Sequence, residues 1–534
     1  MPKAYTPNNI VRFVTAASLF DGHDAAINIM RRILQAHGAE VIHLGHNRSV
    51  AEIVDAAIQE DAQAIAVSSY QGGHNEFFSY MIDLLRERDA GHILVFGGGG
   101  GVIVPREIEA LEAYGVAKIF SPDDGREMGL DGMIDLMIEA ADFDPTKVGE
   151  PGALGSDTDH WLAVSRAITR VEEGQAIDAP DRADPAPILG VTGTGGSGKS
   201  SVVDELVLRF LADSFEMKIA ILSVDPTKRK TGGALLGDRI RLNSLGSDRV
   251  FMRSLATRQA HRVLSAHISK SIEVCQGAGF DLIIVESSGI GQADSEIVDI
   301  SDLSLYVMTP EYGAPIQLEK IDMLDYADFV AINKFDRPRA LDAVRDVRKQ
   351  YRRCHGLFNE PADEELPVFA TIASQFHDHG VNRLYQGIVG RLQSDFGDPW
   401  TVDGTKAVPA GQPERHPTIP ADRSGYLREI AKTVRSYKTW AEDQITAAGR
   451  LYQLVGARAI LFARDGDGSP TDLWNLFEEI LAAEFTREPQ LADLDAEIRR
   501  IAHELEDDSR QLLAAWPKIL ADFARDEFSY TVRG

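Results

Sequence analysis

The chain has 534 residues, of which 44% are apolar, and it carries a formal net charge of −27. That length allows roughly three to four domains of ~100–200 residues each. So acidic a chain is poorly suited to nucleic acid or to an anionic membrane surface, and neither is expected as a partner. The only two cysteines, Cys275 and Cys354, exclude a disulfide framework and a thiolate metal cluster.

The N-terminal residues MPKAYTPNN contain no apolar signal core, and no run in the sequence approaches the ~18 apolar residues of a membrane span. The expectation is therefore a soluble cytoplasmic protein without a membrane partner.

From residue 10 to residue 140, short apolar strands alternate with amphipathic helices. The predicted strands are 10–16, 40–44, 63–69, 92–96 and 117–120, and the predicted helices are 24–37, 49–60, 74–88, 104–114 and 125–141. This alternation is typical of a parallel sheet that is covered on both faces and binds ligands at the carboxyl ends of its strands.

The remaining chain divides at stretches rich in Pro, Gly and polar residues. Residues 142–187 are predicted to be a linker that contains one amphipathic helix, 158–173. A second α/β pattern begins at residue 188, and a polar, Pro-rich stretch follows it at 401–421. Beyond that stretch the sequence predicts a helical region, because apolar residues recur there with a helical period. These residues are Leu427, Ile430, Val434, Tyr437, Ala441, Ile445, Ala448 and Tyr452.

Three short polar or glycine-rich clusters follow three strands of the first predicted sheet. Asp21-Gly22-His23 follows the first strand, Ser68-Ser69-Tyr70 ends the third, and Gly97-Gly98 ends the fourth. Because the carboxyl ends of parallel strands meet at one edge of the sheet, these clusters are predicted to line one crevice. For the histidine alone, the simpler alternative is a structural loop whose Asp24 caps the following helix.

The three elements resemble the cobalamin-binding signature of adenosylcobalamin-dependent mutases and methionine synthases, which reads DxHxxG, SxL and GG. Two positions depart from it, since Ala26 stands for the last Gly of the first element and Tyr70 for the Leu of the second. The first departure adds only a methyl group near the ligand. The second changes the packing available around the cofactor tail, and neither touches the metal chemistry.

The resemblance implies that His23 is the lower axial ligand of cobalt. A neutral imidazole suits this role, and Asp21 can accept the other ring N–H, which fixes the tautomer and raises the basicity of the ligand. Gly97 and Gly98 would leave room for the displaced nucleotide tail of the cofactor, and the hydroxyl of Ser68 can bond to it. We expect adenosylcobalamin as the cofactor, held by these residues and by Gly22.

A second motif, GTGGSGKS at residues 193–200, matches G-x-x-x-x-G-K-[ST] between a predicted strand, 188–192, and a predicted helix, 201–211. Its backbone N–H groups would face phosphates, Lys199 would bridge the outer phosphates, and the hydroxyl of Ser200 would bind Mg²⁺. The predicted phosphate-binding residues are Gly195, Gly196, Ser197, Gly198, Lys199, Ser200 and Ser201.

The choice of base is predicted from Asn333-Lys334-Phe335-Asp336, which follows the apolar strand 329–332. The carboxylate of Asp336 can accept hydrogen bonds from two guanine donors, and adenine has no matching pair. About 130 residues beyond a phosphate-binding loop, this NKxD motif indicates GTP. A backbone contact to guanine is expected from Thr371-Ile372-Ala373-Ser374.

Three acidic residues are candidates for the Mg²⁺ site and for catalysis together with Lys199. They are Glu286 in ESSG, which stands where DxxG is usual, Asp225 in SVDP and Asp238 in LLGDRIR. These stretches resemble the G-protein chaperones of methylmalonyl-CoA mutase, in which such acids surround Mg²⁺ mostly through water. Arg241 would reach the phosphates. Each acid could instead be an ordinary exposed loop residue, and Lys228-Arg229-Lys230 either meets phosphates or is solvated.

A cobalamin domain followed by this type of G domain and by a helical region resembles the N-terminal half of the fused isobutyryl-CoA mutases. The resemblance implies an α/β protein with a flavodoxin-like parallel-sheet domain, a P-loop GTPase domain and a mostly helical C-terminal region. The predicted segments are a cobalamin domain, 8–141; a linker with one helix, 142–187; a GTPase domain, 188–400; a linker, 401–421; and a helical region, 422–534.

In that family an acyl-CoA-binding barrel follows, and nothing in this sequence could form such a barrel of about 250 residues. We expect either a separate acyl-CoA-binding large subunit, contacted by the helical region in a homodimer or heterotetramer, or a chain that is part of a longer one. The implied activities are GTP hydrolysis, which gates cofactor loading, and a share in the radical isomerisation of a short acyl-CoA.

Other classes of function share parts of this pattern. One is a stand-alone GTPase chaperone that delivers cobalamin, and another is a cobalamin-dependent sensor or methyl carrier with a GTPase attached. A nickel-insertion GTPase would have a similar G domain, but it predicts tracts rich in His or Cys, which this sequence lacks. It would also leave the cobalamin signature without a role.

Overall fold

The computed structural model of the chain describes residues 5–148, 154, 161–177, 179, 180, 182, 184–214, 216–225, 227, 233–236, 238–257, 267–289, 294–312, 318, 321–357, 362–397, 400, 426–462, 470–482 and 491–527. The chain forms two compact units, Met1–Arg415 and His416–Gly534. The predicted linker 401–421 and the basic triplet 228–230 lie outside the described residues.

The first unit contains two parallel sheets, and the first sheet begins near the N-terminus. Its strands are β1 Arg12–Ser18, β2 Glu40–Arg48, β3 Ala64–Ser68, β4 Leu94–Gly98 and β5 Lys118–Phe120. Its helices are α1 Ala25–Ala36, α2 Val50–Gln59, α3 His74–Glu87, α4 Pro105–Tyr114 and α5 Pro122–Ala141. The order β5-β4-β3-β1-β2 is that of a flavodoxin-like sheet, and all these strands pair in parallel. The predicted fold class is confirmed.

The sequence explains why these elements form. The side chains of β1 and β3 are buried at every position, as expected for strands covered by helices on both faces. Helix α2 starts with a capping box between Ser49 and Glu52, and α5 starts with another between Ser121 and Asp124. Helix α5 is kinked at Gly129, where φ is +68°.

Among the described residues between the two sheets there is one α-helix, and the second sheet follows it. The helix is α6, Trp161–Glu172. The strands in this part of the chain are β6 Ile188–Gly193, β7 Ile219–Asp225, β8 Ala234–Leu236, β9 Val250–Ala256, β10 Leu282–Glu286, β11 Leu303–Met308, β12 Phe329–Ile332 and β13 Val368–Ala370. The helices are α7 Lys199–Asp213, α8 Ile268–Gly277, α9 Met323–Tyr326, α10 Ala340–Cys354 and α11 His379–Phe396. The second sheet has the order β13-β12-β11-β6-β10-β7-β9.

Strand β8 is absent from this second sheet. It pairs in parallel with β2, so that Glu40 lies opposite Ala234 and Ile42 opposite Leu236, and it forms the sixth strand of the first sheet. A segment that the sequence assigns to the predicted GTPase domain thus extends the sheet of the predicted cobalamin domain.

Helix α6, which the sequence places in a linker, is part of the core. Val164 and Ile168 are fully buried, and Leu162 is buried against the first sheet. The buried guanidinium of Arg166 donates to the carboxylate of Asp61 at 2.9 Å. The predicted helix exists, but it packs between the two α/β regions.

The second unit is helical, as predicted. Its helices are α12 Tyr426–Phe462, α13 Pro470–Ala482, α14 Ala492–Ala502 and α15 Asp507–Phe523. Their core includes Leu451, Phe477 and Ile498. The predicted apolar stripe lies on α12, but Leu427, Tyr437 and Ile445 on it are exposed. Among the described residues of the whole chain, no helix is both long and apolar enough to cross a membrane.

Candidate functional site

The loop that carries His23 leaves the first sheet where its strand order reverses. The chain runs from β1 outward to β2 on one side, while β3 pairs with β1 on the other side. The crevice at such a switch point is the usual ligand site of an open α/β sheet. The structure places Asp21-Gly22-His23 after β1 and Ser68 at the end of β3, while Gly97 and Gly98 end β4. The three predicted clusters therefore meet at one edge, as the spacing predicts.

A hydrogen bond to Asp21 fixes the ring of His23. Nδ1 of His23 lies 2.8 Å from Oδ1 of Asp21, and the backbone N–H of His23 donates to the same oxygen at 2.9 Å. The Asp21 side chain is fully buried, whereas that of His23 is 70% exposed. The ring is therefore anchored through Nδ1–H, and Nε2 keeps its lone pair for a ligand.

The carboxylate of Asp21 is itself held in place. Its second oxygen accepts the backbone N–H of Tyr70 at 2.6 Å. Burial of Asp21 acts to raise its pKa, but the N–H donors of Tyr70 and His23 outweigh burial, and the pKa is lowered below its usual value. The ring of Tyr70 packs beside that of His23, with 5.5 Å between the ring centroids.

The structural alternative for this loop, a helix cap at Asp24, is not what the structure shows. Asp24 has helical backbone angles, and its side chain makes no capping hydrogen bond to α1. Its carboxylate accepts the amide of Asn28 instead, at 3.1 Å. Local helix geometry thus gives no reason for the arrangement of Asp21 and His23.

Two further residues shape this loop and were not predicted from the sequence. Phe20 and Asn47 both have left-handed backbone angles, with φ of +61° and +58°. The N–H of Phe20 donates to Oδ1 of Asn47 at 2.8 Å, and its carbonyl accepts the amide of Gln71. The one signal in the sequence is an Asn at the end of a strand, which is too common to be informative alone.

Beside the loop lies a mostly apolar cavity of about 220 Å³ between α1, α5 and the ends of β3 and β4. Ser68 lines it, and its buried hydroxyl has no hydrogen-bond partner among the described residues. A buried polar atom left unpaired is costly, so this hydroxyl fits a ligand that enters the cavity. Gly97 and Gly98 form part of its wall, as does Met133 from α5. A largely apolar group with a polar atom that can bond to Ser68 suits this site.

The second site lies at the carboxyl ends of adjacent strands of the second sheet. β6 leads into the GTGGSGKS loop, its neighbour β10 ends at Glu286, and the next strand, β7, ends at Asp225. The strand order thus brings the phosphate-binding loop and two of the three predicted acids to one edge. Glu286 and Asp225 are both buried there.

The residues predicted to bind Mg²⁺ and phosphate are hydrogen-bonded at the GTGGSGKS loop. The hydroxyl of Ser200 donates to Oε1 of Glu286 at 2.9 Å. Nζ of Lys199 donates to the carbonyl of Gly193 at 3.2 Å. Gly289 is required here, because its φ is +64° and a Cβ added there would lie 2.7 Å from the backbone carbonyl oxygen of Gly193. The buried hydroxyls of Thr194 and Ser197 have no hydrogen-bond partner among the described residues.

The NKxD motif is built against the same loop. The amide of Asn333 donates to the carbonyl of Ser197 at 2.9 Å and accepts the N–H of Ala373 at 3.0 Å. Nζ of Lys334 donates to the carbonyl of Gly196 at 2.6 Å. Asp336 is exposed at this edge. The motif thus joins the phosphate-binding loop to the loop after β13, in addition to any contact with a base.

For the remaining predicted residues, the structure gives the position in the fold but no side-chain contact at the site within the described part of the chain. Gly195, Gly198 and Ser201 belong to the loop and to the first turn of α7. Asp238 and Arg241 lie in a short 3-10 turn, where Arg241 is exposed and the side chain of Asp238 lies outside the described residues. Within the described ranges, no group of three or more His, Cys, Asp or Glu side chains is arranged to hold a metal ion.

Comparison with protein families matches both regions. Residues 11–128 match the B12 binding domain family, and residues 165–394 match the family of methylmalonyl-CoA mutase-associated GTPases, MeaB. Both matched ranges contain the corresponding candidate site. The predicted cobalamin-binding region and the predicted GTPase of this type are confirmed.

The whole chain is also similar to longer proteins. It is 52% identical to a fused isobutyryl-CoA mutase of Geobacillus kaustophilus over 100% of this chain and 48% of that protein. It is 50% identical to the fused isobutyryl-CoA mutase of Cupriavidus metallidurans over 99% of this chain and 47% of that protein. The GTPase ArgK of Escherichia coli is 29% identical over 40% of this chain and 63% of its own length. The chain is therefore a homologue of the fused isobutyryl-CoA mutases that spans about half of their length, with a B12-binding domain followed by a MeaB-type GTPase domain.

Proposed function

We propose that the first sheet holds adenosylcobalamin with Nε2 of His23 as the lower axial ligand of cobalt. The observation that carries this proposal is the bond from Nδ1 of His23 to the buried Asp21, which directs Nε2 to the ligand. The cavity at Ser68 takes the nucleotide tail, and the unpaired hydroxyl of Ser68 bonds to it. Gly22, Gly97 and Gly98 leave the backbone close to the cofactor.

The second sheet binds GTP with Mg²⁺. Backbone N–H groups of the GTGGSGKS loop and Nζ of Lys199 bind the phosphates, with Arg241 as a further contact. The hydroxyl of Ser200 binds the ion, and Glu286, Asp225 and Asp238 hold it through water. Residues proposed for this site also include Gly195, Gly196, Ser197, Gly198 and Ser201 from the loop.

Guanine is recognised by Asp336, which lies beyond Asn333 and Lys334 at the same edge. A backbone contact to the base comes from the loop after β13. The N–H groups of Ile372 and Ala373 already donate to Asp378 and Asn333, so the contact falls on Ser374.

The chain acts as the cobalamin-binding and GTPase-chaperone part of an adenosylcobalamin-dependent acyl-CoA mutase in the cytoplasm. When bound, the cofactor supplies the carbon radical that starts the rearrangement of a short acyl-CoA. His23 and Asp21 fix the cofactor face, and GTP hydrolysis at the second sheet gates loading and release of the cofactor.

The acyl-CoA is bound by a separate chain, and the complex is a homodimer or heterotetramer. The fused relatives are similar to this chain over about half of their own length, and we place the acyl-CoA-binding part in the other half. Support for its docking surface comes from α12, whose stripe includes Leu427, at 81% exposed, and Ile445, at 71% exposed. A helix face that exposes several large apolar side chains to water is typical of a surface that binds a partner.

Absorption spectroscopy and size-exclusion chromatography test this function together. Adenosylcobalamin added to the purified chain should give a spectrum with the nucleotide base displaced and histidine bound, and GTP should be hydrolysed. Mixed with an acyl-CoA-binding mutase chain, the protein should co-elute with it. The mixture should isomerise an acyl-CoA, and neither chain by itself should do so. Co-elution of a variant that lacks 422–534 would contradict the docking role of the tail. Cobalamin binding by the purified chain, with no co-elution and no isomerisation in any such mixture, would favour a stand-alone chaperone.

A further inference from the structure

Phe20, directly before Asp21, has a backbone conformation that its own side chain does not explain. Its φ of +61° lies in the left-handed region, which a bulky residue rarely adopts. The ring is 76% exposed, so packing of the side chain does not hold the backbone in place. Two hydrogen bonds hold the backbone of Phe20 in this conformation instead. One joins its N–H to Asn47 near the end of β2, and the other joins its carbonyl to the side chain of Gln71.

We propose that Asn47 is a positioning residue for His23, an inference that rests on the proposed role of His23 as cobalt ligand. Asn47 is suited to this task because Asn tolerates the left-handed angles found there, φ +58°, and offers Oδ1 to the N–H of Phe20. This hydrogen bond fixes the backbone of Phe20, and therefore the direction in which the chain enters Asp21 and His23. Tyr70 then fixes Asp21 from the opposite strand.

The test compares Asn47→Gly, which keeps the left-handed backbone but removes the acceptor, with Asn47→Asp, which keeps both. Cobalamin affinity should fall about tenfold in the first variant, with loss of the histidine-bound spectrum. It should stay within about twofold of the natural chain in the second. Gln71→Ala removes the bond on the other side of Phe20 and should act in the same direction as Asn47→Gly.

Asn75→Ala, in the first turn of α3, serves as the matched control. A histidine-bound spectrum and unchanged affinity in both Asn47→Gly and Gln71→Ala would overturn the positioning role. If the natural chain itself lacked the histidine-bound spectrum, the proposed cobalt ligand would be wrong instead.

A different observation, the position of β8, supports a second inference about how the two sites communicate. By sequence β8 lies between Asp225 and Asp238, both proposed at the Mg²⁺ site, yet it pairs in parallel with β2, in addition to a bridge between Ala234 and Thr227. Ala234 and Leu236 are fully buried in the core of the first sheet. A shift of Asp225 or Asp238 when GTP is replaced by GDP would therefore displace β8.

The residues around β8 fasten it to the first sheet. A Cβ added to Gly233 would lie 2.2 Å from the carbonyl of Gln35, and one added to Gly45 would lie 2.6 Å from Cδ1 of Ile240. The buried guanidinium of Arg239 donates to the side chains of Gln59 and Glu60 at the end of α2. The same guanidinium donates to the carbonyl of Met252 on β9, at 3.1 Å, and so joins both sheets.

We infer that the β8 segment, defined here as Gly233–Leu236 with Arg239 and Ile240, transmits the nucleotide state to the cobalamin site. This rests on the proposed gating by GTP. The path is short, because β2 pairs with β8 at Glu40–Ile42 and carries Asn47, which holds the loop of His23, near its other end. A displaced β8 shifts the strand that positions the cobalt ligand.

The experiment measures the affinity for adenosylcobalamin in the presence of GDP and of a non-hydrolysable GTP analogue. Coupling between two sites is reciprocal and is usually roughly five- to 150-fold, so the two affinities of the natural chain should differ within that range. In Arg239→Gln and in Ile240→Ala the ratio should fall to within about twofold of unity.

Arg249→Gln is the matched control, because Arg249 is half-buried and donates to carbonyl groups of Ser214 and Leu211 within the second sheet region. It should keep the ratio of the natural chain. An unchanged ratio in both Arg239→Gln and Ile240→Ala would overturn the role of the β8 segment. Equal affinities in the natural chain would contradict the proposed gating itself.

Discussion

Nδ1 of His23 lies 2.8 Å from Oδ1 of a buried Asp21, and this contact decides which ring nitrogen meets a ligand. The donor must be Nδ1–H, because an ionised carboxylate only accepts. Nε2 is then the basic nitrogen, on a ring that is 70% exposed at the edge of the sheet. The pair thus presents a preorganised imidazole where the strand order reverses.

Asp21→Asn should weaken cobalamin binding by roughly 10- to 100-fold, the usual effect of removing the partner of a metal-bound histidine. The amide can still contact the ring, but its NH₂ group cannot accept the N–H of Tyr70, which donates to Asp21 at 2.6 Å. Titration with the cofactor, followed by absorbance, measures the effect. Asp24→Asn, on the neighbouring acid, is the control. Equal affinity in the two variants would refute the role of Asp21.

Gly97 and Gly98 should respond differently to substitution. A Cβ at Gly97 would lie 2.5 Å from Cδ1 of Ile119, whereas one at Gly98 has no neighbour closer than 3.5 Å. Gly97→Ala should therefore destabilise the protein by about 1–3 kcal/mol through overpacking, and this should appear in the thermal unfolding midpoint. Gly98→Val should fold and bind cobalamin weakly, because it narrows the cavity. Normal cofactor binding by Gly98→Val would show that the cavity is not the tail site.

Asp336→Asn should lose most of the affinity for GTP, on the order of 2–4 kcal/mol, because the amide places a donor where guanine also has donors. Competition between labelled GTP and unlabelled nucleotides measures this loss. Asp342→Asn, on the exposed start of α10, should change nothing. If ATP competed as well as GTP for the natural chain, the assignment of the base site would be wrong.

His43 on β2 should make the first sheet acid-sensitive. Burial, followed by the positive charge of Arg31, lowers the pKa of His43 to about 4, although Asp24 and the contact with Thr15 act in the opposite direction. In the unfolded chain the pKa of His43 is near 6.5. Below that pH the unfolded chain therefore binds a proton at His43, whereas the folded chain does not until the pH approaches about 4. Stability should therefore fall as the pH drops from about 6.5 to about 4, by up to about 3 kcal/mol from this residue.

Thermal unfolding at about pH 7 and about pH 5 measures this sensitivity. His43→Gln should lose less stability than the natural chain over the same interval, since Gln can keep a contact to Thr15 without titrating. An identical loss in both proteins would show that His43 does not set the acid response.

Periodic features of the sequence predicted most of the fold. The strands near residues 10–16 and 329–332 are apolar runs bounded by polar loops, and the structure has them at Arg12–Ser18 and Phe329–Ile332. The motif residues meet because parallel strands end at one edge, a rule that holds whatever the side chains are. Such features depend on neighbours in the sequence and can be read from it.

The unpredicted features depend on contacts between distant segments. Ala234–Leu236 is too short for its partner to be inferred, and nothing local shows that it pairs with β2. Helix α6 reads as an ordinary amphipathic helix, and only the sheets on both sides make it core. Phe20 gives no sign of its left-handed backbone, because that is imposed by Asn47 and Gln71.

The central claim is that Nε2 of His23 binds cobalt, and electron paramagnetic resonance of bound cob(II)alamin tests it most directly. The chain is produced with ¹⁴N-histidine and with ¹⁵N-histidine, because the axial nitrogen splits the cobalt lines according to its nuclear spin. A triplet splitting that becomes a doublet on ¹⁵N labelling, and that disappears in His23→Ala while GTP hydrolysis persists, is the predicted result. A triplet that remains after labelling would show that the nitrogen comes from the cofactor's own base, and would contradict the assignment.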